Sequence, residues 1–526
     1  TVRAAVSEER LTRTKKQAGW PTLSIQRALQ IAGVSSESVD TVAIAGVHGR
    51  MPARLLHRRY AGIAPQDIDP TSAPSRLFAA FQNRIGSVPV VRDLERLGSQ
   101  ALVRRRLHSH GLEHANLHLI DHHEAHAATA AATTTGDALV VTMDGYGDGT
   151  SCAVWEHRDG RLERRHVQGP EGSLALLYGA LTCLLGFKEG EEGKLTGLAG
   201  AIEPGQTHVD SRTPDLSRFV HSQDGRIEVD RIGAIRAFRR AIKAGCGRQD
   251  LARAMQDVLE STVLGHIQHH LAETGTRRLA VAGGLFANVS LNGRLASLGL
   301  DEFAVFPAMT DQGLCLGAAM VAHGRCGTLP PCPPTMALGP AIDGQTDPKQ
   351  VAALLAAGKI IGVARGRMEF GPRALGHRSI LFDPRDPALA LRVGELLGRE
   401  PFMPFAPLLR ADHWTTVFEQ PRAPVLRSSR EMTLALTVKP AFAEAAPSAV
   451  HSDGTTRPQV IDSDGDPWMD AVLHEFEQRT GCPALINTSF NSHREPIVCS
   501  IEDAMLTAIA SGLDAIVLGA DLTELR

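Results

Sequence analysis

The sequence predicts an α/β fold in two units, and three observations carry that prediction. Short apolar runs ending in glycine turns alternate with segments of helical periodicity, the pattern of βαβ construction. The stretch "GTLPPCPPTMALGP" (Gly327–Pro340) holds four prolines within Pro330–Pro334, which continue neither a helix nor a central strand. Beyond that break the alternation resumes. The expected units are therefore residues 1–338 and 339–526.

The elements follow in order. Val2–Val6 reads as the end of a strand, with the true start of the chain expected upstream of Thr1. "DALVVTMDG" is a buried strand closed by a glycine turn. "SCAVWEHRDGRLERRHV" reads as two strands about the turn Arg158-Asp159-Gly160. Leu251, Met255, Val258, Leu259 and Thr262 have the spacing of a long amphipathic helix. "RRLAVAGGLFANVSLNGRL" is a strand, a glycine pair and a helix, and "KIIGVARG", "CPALINTSFN" and "LDAIVLG" are strands of the second unit.

Composition narrows the classes. A formal net charge of -3 gives no field favouring nucleic acid or an anionic membrane. The basic run Arg104–Arg106 reads as a solvated helix face. No apolar run reaches the roughly 18 residues of a membrane span, and no signal peptide is evident. Eight scattered cysteines without a CxxC pair point to free thiols and a cytoplasmic location.

Chemistry concentrates in a few stretches. In "DHHEAHAATA", His122 and His126 are four apart and share one helix face. Asp144 stands at a strand tip, and Asp311 in "TDQG" stands before an Ala/Gly-rich helix. Two imidazoles and two carboxylates suit zinc, iron(II) or manganese, and spacing alone does not choose among them. Helix capping and turn formation would use the same residue types. His266 and His270 repeat the spacing without a nearby strand-end carboxylate and read as surface or packing residues. "DGYGDGTS" and the pair Gly283-Gly284 are glycine loops suited to a nucleotide, although no P-loop is present. Arg365, Arg367, Arg373 and Arg378 suggest anion recognition, and Asn487, Thr488, Ser489 and Asn491 offer small polar groups at a strand end.

Together "DHHEAHAA", "MDGYGDG", "AGGLFANVSLNGRL", "TDQG", "GRMEFGPRALGHRSIL", "DGTTRPQV" and "NTSFNSHREPIV" resemble the ATP-dependent O-carbamoyltransferases, in order and across nearly the whole chain. That family includes nodulation-factor enzymes and enzymes of antibiotic biosynthesis such as the tobramycin carbamoyltransferase. The resemblance implies an actin-like (ASKHA) first domain and a YrdC-like, α+β second domain. It implies that carbamoyl phosphate and ATP give carbamoyl adenylate, and that the carbamoyl group passes to a hydroxyl of a sugar or natural product. It places His122, His126, Asp144 and Asp311 as metal ligands, with iron(II) first. It places Lys194, Gly283, Gly284 and Asn288 around the nucleotide and acceptor, and Arg373, Arg399, Arg457, Ser489 and Asn491 around ATP and carbamoyl phosphate. It also leads us to expect a homodimer.

Three departures are visible. The family's opening strand and "HDxSA"-like loop, which carries the histidine base for the acceptor, is absent, so no base is assigned. Leu397 stands where the family has lysine, and Met403 where it has arginine. Losing two charge-assisted contacts would cost roughly 3–6 kcal/mol of phosphate binding. The competing expectations are an actin-fold kinase or ATPase, which would release ADP, and a non-catalytic nucleotide-binding homologue.

Overall fold

A computed structural model describes residues 1–17, 19–46, 89–201, 210–325 and 328–525. The chain divides into two units. One comprises Gly33–Cys332 with Thr1 and Ala18–Trp20, the other Pro333–Arg526 with Val2–Gln17 and Pro21–Ala32. The division falls inside the proline cluster, and Gly327 lies outside the described residues.

In the first unit β1 (Thr41–Ala45) and β2 (Asn116–Ile120) form a parallel pair. β3 (Ala138–Gly147), β4 (Thr150–Arg158) and β5 (Arg161–Gln168) follow, then a separate hairpin of β6 (Val220–Gln223) and β7 (Arg226–Val229). β8 (Arg278–Ala282) and β9 (Glu302–Val305) complete a five-stranded sheet ordered β5-β4-β3-β8-β9. β3 is central, parallel to β8 and antiparallel to β4, and its run from Ala138 to Met143 is buried throughout. A continuous apolar run is what a strand covered on both faces requires. The expected turn joins β4 to β5, with Asp159 at φ 49° and Gly160 at φ 73°, the left-handed pair that suits the twist of a tight hairpin.

The amphipathic helix spans Arg248–Thr274, buries the five predicted positions, and stops at Gly275 in the left-handed conformation. His266 and His270 are both buried on it, so the packing reading holds for His266, whose Nε2 lies 3.5 Å from the Cys152 thiol. Arg104–Arg106 are exposed on the helix Pro89–His108, as expected of a solvated face. No helix among the described residues is long and apolar enough to cross a membrane.

The second unit opens with β10 (Ala337–Ile342), followed by β11 (Ile361–Ala364), β12 (Gly366–Glu369), β13 (Arg378–Phe382) and β14 (Ala406–Arg410). β15 (Leu436–Thr437), β16 (Thr455–Thr456), β17 (Gln459–Ile461), β18 (Ala484–Ser489), β19 (Ala515–Leu518) and β20 (Asp521–Glu524) complete it. Its main sheet has seven strands in the order β17-β14-β18-β13-β11-β19-β20. The three strands read from the sequence are β11, β18 and β19. β11 pairs parallel with β19 but antiparallel with β13, so the sheet is mixed.

Two expectations are corrected here. Val2–Val6 is not a strand: Ala5 donates one backbone hydrogen bond to Leu338 O (3.1 Å), and the segment then enters the short helix Glu8–Thr12. One bond is not a ladder. Of the four arginines expected to recognise anions, three brace the fold instead. Arg378 is fully buried and donates to the carbonyls of Arg365 (2.8 Å), Pro340 (3.1 Å) and Cys499 (3.2 Å). Arg367 donates to Arg3 O (2.7 Å) and Leu338 O (2.6 Å), and Arg365 pairs with Asp466 while stacking over Trp468.

Candidate functional site

The first constellation sits where β2 runs into the helix His122–Ala131. Asp121 caps that helix by accepting from Glu124 N (2.9 Å), and Asp148 accepts from His122 N (2.9 Å). The cap fixes the first turn, so His122 and His126 face the tip of β3 together. Their rings lie 4.8 Å apart in an edge-on arrangement. Asp144 Oδ2 is 3.2 Å from His126 Nε2 and 3.7 Å from His122 Nε2. Asp311 Oδ1, which opens the turn before the helix Leu314–Gly324, is 3.6 Å from His122 Nε2 and 3.7 Å from His126 Nε2.

These separations fit a shared cation. Donors about 2.0–2.2 Å from one metal stand roughly 3.0–3.5 Å from each other. His122 Nε2 is buried without a hydrogen-bond partner, which is the atom a cation would satisfy. Two carboxylates would balance a divalent charge. Burial alone would lower the His122 imidazole, but the carboxylates of Asp144, Asp311 and Asp148 outweigh it and raise it to about 9. His126 moves the same way, against its burial, because of Asp144 and Asp311. Burial would raise Asp144; the two imidazoles instead hold it well below the usual carboxylate range.

The third histidine of the stretch does something else. His123 is fully buried, donates from Nε2 to Thr150 O (3.1 Å) and accepts at Nδ1 from the Thr142 hydroxyl (2.8 Å). Burial, then the neighbouring imidazoles, push it down to about 3, so it is a neutral brace between the helix and the sheet.

The glycine loops support the same centre. A Cβ on Gly147 would stand 2.2 Å from the His122 ring, so only glycine admits that ring. Gly284 N donates to Asp144 Oδ2 (3.1 Å), Gly145 N to Asp144 Oδ1 (2.6 Å), and Gly283 N to Met309 O (2.8 Å). The Gly284 and Gly145 amides are thus engaged by Asp144, and the Gly283 amide by Met309. Asn288 caps the helix Val289–Ala296 and exchanges hydrogen bonds with Gln256 (2.9 and 3.1 Å). Lys194 pairs with Glu191 at 3.0 Å.

The second constellation lies in the second unit. Arg373, Arg399 and Arg457 are half-buried and close enough to oppose one another's charge. Burial lowers Arg373 to about 10; burial, then Arg373, lowers Arg399 to about 10; burial, then Arg373 and Arg399, hold Arg457 well below its ordinary range. None of the three forms an ion pair with a carboxylate among the described residues. Arg399 donates to the Thr488 hydroxyl (2.9 Å) and to Pro404 O (2.9 Å) and stacks over Phe405. The loop bearing Arg373 is pinned because Asn487 donates to Ala374 O (3.1 Å) and Gln459 to Leu375 O (3.0 Å).

Ser489 ends β18 opposite Ser379. Asn491 donates to Ser492 O (2.7 Å) and Glu495 O (3.0 Å), leaving its Oδ1 buried and unpartnered. Leu397 is buried where it ends the helix Pro387–Leu396, and Met403 is half-buried. Three clustered cations without a carboxylate partner among the described residues have the chemistry that an anion would satisfy. Gly147 and Asp148 enter the sequence reading only within the loop "DGYGDGTS", and Phe405 does not enter it; a glycine or an aromatic beside a strand carries no local signal of its partner.

Residues 2–320 match the family described as Carbamoyltransferase N-terminus, and residues 352–524 the one described as Carbamoyltransferase C-terminus. The nodulation protein NolNO of Sinorhizobium fredii is 30% identical over 560 residues, covering 99% of this chain and 77% of that relative. The nodulation protein NolO of Bradyrhizobium diazoefficiens is 33% identical over 443 residues, covering 77% of this chain and 79% of the relative. Among solved structures, full-length HypF in its phosphate- and nucleotide-bound form overlays with a TM-score of 0.25 at 18% identity, covering 35% of this chain and 21% of that one. An overlay that slight carries no argument. With both halves matched and relatives aligned along nearly the whole sequence, the chain belongs to the carbamoyltransferase family and is a transferase enzyme.

Proposed function

We propose that the chain is an O-carbamoyltransferase that activates carbamoyl phosphate with ATP and delivers the carbamoyl group to a hydroxyl of a small molecule. In this reading the first unit is actin-like and the second YrdC-like. The observation that carries it is the cluster of Arg373, Arg399 and Arg457, three guanidiniums without a carboxylate partner among the described residues. Such a cluster is repulsive by itself and becomes favourable when phosphates enter.

The chemistry runs in two parts. Water hydrolyses carbamoyl phosphate to carbamate and inorganic phosphate. A carbamate oxygen then attacks the α-phosphorus of ATP, pyrophosphate leaves, and carbamoyl adenylate remains. Arg373, Arg399 and Arg457 would take the phosphates, with Ser489 and Asn491 beside the carbamate. In the first unit an acceptor hydroxyl attacks the carbonyl and AMP departs. His122, His126, Asp144 and Asp311 would hold a divalent metal, iron(II) first and zinc or manganese otherwise, which supplies a Lewis acid for the departing phosphate. Gly284 leaves room beside Asp144, since a Cβ there would lie 3.2 Å from its Oδ1. Lys194, Gly283 and Asn288 are assigned to the nucleotide and acceptor side.

The test is product identity. ATP supplied with carbamoyl phosphate should yield pyrophosphate, and ATP alone should not. Release of ADP, with or without carbamoyl phosphate, would point instead to a kinase or ATPase.

A further inference from the structure

A second group of metal-type donors lies outside the sites above, near the end of the helix Arg248–Thr274. His269, His270 and Glu273 each offer one donor atom, and those atoms all lie within 4.8 Å of one another. His269 Nε2 is 3.3 Å from Glu273 Oε1, and His270 Nδ1 is 2.9 Å from Glu273 Oε2. The two rings are 5.2 Å apart and perpendicular. One helical turn thus gathers two imidazoles around a carboxylate that reaches them three and four residues away.

The orientation of His270 is informative. Its side chain is only 8% exposed, and its Nε2 lies 3.1 Å from the carbonyl of Gly225, in the tight turn between β6 and β7. Nε2–H therefore donates to that carbonyl, which turns Nδ1 toward the Glu273 carboxylate. A backbone carbonyl that fixes one ring nitrogen while the other faces a cation is the usual support of a metal-bound histidine. The helix C-terminus adds negative potential at this turn. Gly225 (φ 70°) must stay glycine here, because a Cβ would lie 2.5 Å from the His269 ring.

The geometry points to a second transition-metal site on His269, His270 and Glu273, taking a divalent ion of the zinc, nickel or copper class that imidazole and carboxylate donors prefer. Glu273 is 58% and His269 36% exposed, so solvent would complete the coordination. The ion would tie the last turn of the helix, through His270, to the β6–β7 turn.

Zinc(II) titration of the metal-free full chain tests this. Two ions should bind per chain. His269→Ala or Glu273→Gln, both at solvent-accessible positions, should reduce this to one. In a His126→Ala/Asp144→Asn background one ion should remain, and adding His269→Ala should weaken it at least tenfold and abolish the zinc-dependent rise in melting temperature. Stoichiometry and affinity unchanged by His269→Ala and Glu273→Gln would overturn the proposal.

Discussion

His126 Nε2 and Asp144 Oδ2 stand 3.2 Å apart, joining the helix that follows β2 to the tip of β3. Nothing in the chain between them forces this meeting; the cap at Asp121 and the contacts of His123 with Thr142 and Thr150 bring them together. Several consequences can be measured.

Metal affinity should depend on a glycine that touches no metal. Gly147→Ala places a Cβ 2.2 Å from the His122 ring and must push the ring off its position. We expect a loss of about 10–100-fold in metal affinity, the range seen when the support of a ligand is removed. Gly145→Ala, whose Cβ would meet Leu176 at an ordinary 3.6 Å, is the control and should bind metal nearly as the parent does. Isothermal titration reads both.

The metal-free chain should lose stability with rising pH. His122 is raised to about 9, so the folded state holds a proton that the unfolded state releases near pH 6.5. The stabilisation is complete below about pH 6.5 and disappears as the pH climbs through about 9, on the order of 3 kcal/mol. Over the same window metal affinity should rise, because metal binding displaces those protons. Urea unfolding at stepped pH should show the decline in the parent and a flatter profile in His122→Ala.

The three adjacent histidines should separate by function. His123→Ala leaves the Thr142 hydroxyl and Thr150 carbonyl without their partner inside the core and should cost about 2–4 kcal/mol of stability. Metal stoichiometry should be unchanged. Loss of the metal without loss of stability would reverse the roles assigned here.

The arginine cluster should trade stability for binding. Arg457→Ala removes a cation opposed by Arg373 and Arg399, so the melting temperature should stay level or rise. Pyrophosphate affinity should fall about 10–100-fold, as expected for one charge-assisted contact. Differential scanning fluorimetry with and without pyrophosphate reads both effects.

Much of this was legible in the sequence. The His122/His126 spacing, Asp144 at a strand tip and Asp311 in its turn name the four donors that the fold assembles, because helix periodicity and strand ends are local properties. The turn at Asp159-Gly160 is equally local. What stayed hidden depends on distant partners. Nothing near His123 announces Thr142 and Thr150, and nothing near Gly283-Gly284 shows that its amides serve Asp144 and Met309. Arg365, Arg367 and Arg378 look like Arg373 in sequence; only the carbonyls and the carboxylate around them mark them as braces. Val2–Val6 has the composition of a strand but makes a single backbone bond, to Leu338 O, and no ladder among the described residues.

In the proposed chemistry the arginines serve activation and the His/Asp donors serve transfer. Pyrophosphate release from ATP and carbamoyl phosphate by Arg457→Ala and by His126→Ala tests it most directly. We predict that Arg457→Ala loses the release while His126→Ala keeps it. Undiminished release in Arg457→Ala, or equal loss in both variants, would contradict the account.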